Sequence, residues 1–127
     1  MRRRNRGNRE QITVEGEERQ FLMTVAWLFM RHGQPSRARN VCEALAEESP
    51  RDGVVAAALA ELLVQEGNAS RALDVLRTAD MPKSLSYAEA VLETRALRML
   101  GRRSEADSRW RRYLEARKGI ERRWAVG

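Results

Sequence analysis

Cysteine and histidine are almost absent from this 127-residue chain, with one of each, and proline occurs three times. One cysteine cannot close a disulfide within the chain, and one histidine with one cysteine cannot form a soft-ligand metal cluster. Zinc sites, Cys-His catalysis and secreted disulfide scaffolds are excluded on that ground. Aromatic residues are scarce at 6% and only Lys83 and Lys118 are lysine. The longest apolar run, Phe21 to Met30, is interrupted by Thr24. It is about half the length of a membrane-crossing helix, which needs roughly 20 residues. No Gly-rich phosphate loop, nucleophile elbow or metal-ligand spacing is present, so no enzyme and no cofactor is expected.

What remains is a chain that is 43% apolar and 33% charged, the composition of a single folded domain. Its formal charge is +6. Residues 1–10 hold Arg2, Arg3, Arg4, Arg6 and Arg9 against Glu10 alone, so most of the excess sits in one short segment and the remainder is nearly balanced. That distribution argues against a nucleic-acid surface. The arginine-rich start runs into polar and acidic residues without an apolar core or small-residue cleavage site, and a cytoplasmic protein is expected.

Comparison of the chain with itself is the most informative step. GQPSRA at residues 33–38, GNASRA at 67–72 and GRRSEA at 101–106 align, with Gly, Ser and Ala each recurring at a spacing of 34. A glycine ends one helix, a serine caps the next and an alanine lets the two approach closely. That period is the tetratricopeptide one. The apolar spacing is helical throughout, which predicts an all-α fold of six antiparallel helices near 17–32, 36–48, 53–66, 69–79, 86–100 and 104–117, the last running on toward Arg123 with an interruption at Gly119. They form three repeats in a short right-handed superhelical array with a concave groove. Residues 1–16 are expected to be a disordered arginine-rich extension, 17–120 the repeat domain and 121–127 a short tail.

Leu22, Val25, Ala26 and Phe29 take the packing positions of the first helix, leaving Met23, Trp27 and Met30 on its groove face. The groove predicted from the repeat register comprises these three with Ala57, Glu61, Val64, Val91 and Arg95. A helix apolar on both faces must be covered twice, so a partner helix laid in the groove is expected. The competing expectation is that the N-terminal segment folds over these residues as ordinary core. His32 is placed to cap a helix C-terminus, and Cys42 reads as a small buried apolar residue. Trp110 and Tyr113 fall at inward positions, so the arginines around them form the outer face of a terminal helix. Trp124 has no obvious core.

The stretch Gln20, Phe21, Leu22, Trp27, Leu28, Gly33, Ala38 and the ending Gly101, Ala106, Tyr113, Leu114, Glu115 resemble the three-repeat chaperones of type III secretion, most closely the YscY type. The resemblance spans about residues 18–118 and has no counterpart for the arginine-rich extension. It implies a cytoplasmic chaperone that holds a small secreted, YscX-like subunit soluble as a heterodimer before export. Contact with the cytoplasmic domain of the export gate is implied as well. The alternatives are a needle-subunit chaperone, a generic scaffold that self-associates as a homodimer through the same face, and a nucleic-acid adaptor using residues 1–9 and 109–123.

Overall fold

The computed structural model describes the backbone of residues 3–126 and the side chains of residues 16–125. Six α-helices follow one another: α1 (Arg3–Arg31), α2 (Pro35–Glu48), α3 (Gly53–Gln65), α4 (Ala69–Thr78), α5 (Ser86–Met99) and α6 (Arg103–Val126). A 3-10 turn, Lys83–Leu85, precedes α5. The described residues contain no β-strand.

Three glycines define the hairpins. Gly33, Gly67 and Gly101 have φ of 70°, 83° and 75°, the left-handed region in which a Cβ is strained. After each, the amide of the next residue returns to the preceding helix, as Gln34 N–H does to Phe29 O at 2.8 Å and Asn68 N–H to Leu63 O at 2.8 Å. The hairpins α1/α2, α3/α4 and α5/α6 pack internally, and α2 on α3, α4 on α5 and α3 on α5 join them into one array.

The core follows the repeat. Ala38, Ala72 and Ala106, one per repeat, are fully buried, because only a methyl group fits where the two helices of a hairpin cross. Around them lie Cys42, Leu59, Leu63, Leu76 and Leu97. The first helix of the middle hairpin is apolar nearly all round: α3 buries eight of its thirteen residues. It carries helix on both sides.

Bridges tie successive repeats together at their polar edges. Arg19 of α1 forks onto Asp52, with Nη2 to Oδ1 at 3.0 Å. The same carboxylate caps α3 by accepting from Val54 N and Val55 N. Arg51 reaches Asp80 at 2.7 and 2.9 Å, Arg39 reaches Glu66 at 2.8 Å, and Arg71 of α4 pairs with Glu43 of α2.

Both terminal helices extend beyond the repeat register. The backbone of residues 3–16 is helical and forms the first part of α1; Met1 and Arg2 lie outside the described residues. The expected interruption at Gly119 is corrected, since α6 passes it without a break and runs on past Arg123 to Val126, while Gly127 lies outside the described residues. The reason is common to both. Nucleating a helix is costly but extending one is not, and neither segment contains a proline.

Candidate functional site

The groove residues occupy equivalent registers of α1, α3 and α5. Trp27, Glu61 and Arg95 are separated by 34 residues each, as are Met23, Ala57 and Val91. Their exposures differ along the array. Trp27 is 54% exposed and Met30 37%, while Met23 is half-buried. The guanidinium of Arg31 lies over the Trp27 ring at 5.0 Å from its centroid, a cation–π contact that covers part of one face. Ala57 and Val91 are half-buried, and Ala57 packs against the core.

Glu61 and Arg95 meet. Arg95 Nη1 lies 3.3 Å from Glu61 Oε2, and Gln65 Nε2 donates to Glu61 Oε1 at 3.0 Å. At these exposed positions the pair fixes side-chain direction more than it adds stability. Further along α5, Arg98 lies 3.9 Å from Asp107 of α6. The face therefore changes from aromatic and thioether at the first repeat to charged at the third.

Val64 does not belong to this surface. It is 4% exposed and part of the core, because the C-terminal end of α3 is enclosed by its neighbours. The sequence projection assigned it to the groove from register alone, and register does not show how tightly the central helix is wrapped.

Four residues outside the predicted set change the picture of the surface. Phe21 is 65% exposed and Leu28 44%, on a flank of α1 separate from that of Met23 and Met30. Their signal was present in the sequence: both lie in the apolar run, at positions the packing pattern left unused. Ile120 and Trp124 are exposed on the far end of α6. They continue the stripe of Trp110 and Tyr113, which cluster with Tyr87 at centroid distances of 5.3 to 6.4 Å.

Catalytic candidates stay apart. His32 is exposed next to the Gly33 turn, just beyond the end of α1. Cys42 is buried, and burial, with the charge of Glu43, pushes its thiol up to about 11, leaving it protonated and inert at neutral pH. Glu89 and Glu93 both face Arg109, at 3.3 and 3.4 Å. Burial and then the charge of Glu93 raise the Glu89 carboxyl against the attraction of Arg109. This cluster explains why Glu93 is tolerated at an inward repeat position: α6 supplies its cation. Among the described residues no group of three or more His, Cys, Asp and Glu is placed to hold a metal ion. No described helix is long and apolar enough to cross a membrane.

A cleft of about 460 Å³ opens between α1, α2 and α3, lined among others by Leu22, Leu45 and Val55 beneath the Arg19–Asp52 bridge. None of the groove residues lines it.

Compared with known families, residues 29–92 match the tetratricopeptide repeat model. No curated protein matches the chain.

Proposed function

Since this chain belongs to the tetratricopeptide-repeat family, a family of protein-interaction modules, we propose that it is a cytoplasmic type III secretion chaperone that holds a small secreted, YscX-like subunit in its groove. The observation that carries the reading is the first helix. Trp27 and Met30 stand exposed on the groove face while the opposite face of α1 is already packed on α2. An aromatic ring and flexible thioethers make an adaptable seat for the apolar face of a partner helix. The charged third repeat, with Glu61–Arg95 and Arg98, supplies a polar end to the same surface. The resemblance in the sequence to the YscY type supports the particular client. A segment that would aggregate alone is kept soluble by covering this face, and both members gain stability by mass action.

The test is co-expression with each small reading frame beside the gene, followed by size exclusion with light scattering. One neighbour should yield a 1:1 complex. The double substitution Trp27→Glu with Met30→Glu should weaken that complex at least about a hundredfold, roughly 2.7 kcal/mol, with the far-UV circular dichroism spectrum unchanged. A complex that survives the substitution, or a well-behaved monomer with no partner among the neighbours, refutes the proposal. Loss of helical content would assign Trp27 and Met30 to the core instead.

A further inference from the structure

Helices α2 and α4 each pack on the repeat that follows them, and α6 carries the same kind of face with no repeat behind it. Cys42 and Leu76, each 1% exposed, have Trp110 as their counterpart in α6, and the buried Leu45 has Tyr113. Both rings are only half-buried, with the exposed Tyr87 against them. At the other end, Val55 and Leu62 of α3, each 1% exposed, have as counterparts in α1 Phe21 at 65% and Leu28 at 44%. Each end of the array lacks what the other offers.

The joint between the first two repeats supplies a register for bringing them together. There Leu45 and Val55 line one cleft, and Arg39 reaches Glu66 at 2.8 Å. Carried by the period onto α6 of one copy and α1 of a second, the first contact becomes Tyr113 against Phe21 and the second Asp107 against His32. An aromatic pair replaces an aliphatic one. The polar pair keeps its complementarity with its sense reversed, a carboxylate standing on the α6 side and a ring N–H donor on the α1 side. Both Asp107 and His32 are exposed in the single chain.

The same register lays the start of α1 antiparallel to the end of α6. Residues 10–18 contain Glu10, Glu15, Glu17 and Glu18 and no basic residue, whereas Arg117, Lys118, Arg122 and Arg123 outnumber Glu115 and Glu121 at the end of α6. The two stretches are opposite in charge. Counting outward from Tyr113 and Phe21, Val126 comes opposite the position of Asn8, so Arg3, Arg4 and Arg6 lie past the end of α6 and Arg9 at its last turn. Ile120 and Trp124, exposed at 54% and 82%, continue the stripe of Trp110 and Tyr113 along this contact. Joining α1 to α1 would instead set acidic stretch on acidic stretch and leave the α6 face bare.

We infer that the chain self-associates head to tail, α6 of one copy docking on the Phe21–Leu28 flank of α1 of the next, so that the repeat array continues from copy to copy. Such a joint is heterologous, leaves a free end on every assembly and is open-ended. The net charge of +6 on each copy opposes it at a distance, so assembly grows with concentration. The contact lies on a flank of α1 separate from Met23 and Met30 and does not depend on the groove being occupied.

The test is sedimentation velocity of the full chain over about two decades of concentration. The mean mass should rise past that of a dimer without a plateau. Phe21→Glu with Leu28→Glu blocks one end and Ile120→Glu with Trp124→Glu the other, and each should weaken association about tenfold or more. An equimolar mixture of these two variants has one intact joint and should stop at the dimer. The milder Phe21→Ala with Leu28→Ala should weaken association as well, with the circular dichroism spectrum retained. The groove variant Trp27→Glu with Met30→Glu should associate like the wild type, which separates this joint from the groove proposal. A chain monomeric throughout, a dimer that survives the α6 substitutions, a mixture that stays monomeric, or equal loss in the groove variant overturns the inference.

Discussion

Asp52 joins two functions in one carboxylate, capping α3 and receiving Arg19 from the preceding repeat. The hydrogen bond from Arg19 holds its carboxyl below the ordinary carboxylate range, helped by the Val55 and Val54 amides and opposed by burial. A carboxyl lowered on folding contributes stability above its unfolded pKa and loses it as pH falls through the folded value. Asp52→Ala should therefore cost about 1–2 kcal/mol at neutral pH in urea unfolding, and the gap to the wild type should narrow in acid. Cys42 makes the opposite case. With its thiol raised to about 11 by burial, native protein at pH 8 should react with Ellman's reagent about a hundredfold more slowly than unfolded protein. That cysteine was legible in the sequence because its register placed it inward. Val64 was misplaced because its register pointed to the groove while its neighbours enclose it.

Elements were more legible than residues. The four inner helices lie within a residue or so of the boundaries that glycine, proline and apolar spacing imply, because each end has a local cause. Pro82 marks the unusual link before α5, where the 3-10 turn is found. The first part of α1 was not legible, since its polar residues give no periodic signal and helix there is propagated from the packed part, whereas the run of α6 toward Arg123 was, apart from its continuity at Gly119. One junction had no sequence signal at all. A methyl group built on Gly53 would sit 2.5 Å from Asp80 O and 2.6 Å from Pro82 Cδ, because the start of α3 and the link after α4 press together. Gly53→Ala should lower stability by about 1–3 kcal/mol, visible as a fall in the thermal midpoint, whereas Gly16→Ala, with open space around it, should not.

At the scale of the molecule the period alone established the architecture. Trp27 and Met30 were assigned to the groove from the sequence and are exposed; Phe21 and Leu28, exposed on another flank of α1, were not singled out. Burial is also unevenly distributed. Ala26 is the only core residue from α1 and Ala106 the only one from α6 among the described residues, while α3 alone contributes eight buried positions. In a quasi-one-dimensional stack each hairpin is held chiefly by its neighbours, so opening begins at the ends and travels inward like the unzipping of a ladder. Amide hydrogens of α3 and α4 should then exchange slowest and report the global free energy, with α1 and the second half of α6 exchanging first. A bound partner on α1 would add a rung at the weakest end, and the slowing of exchange in α1 would measure its grip without any assay of activity.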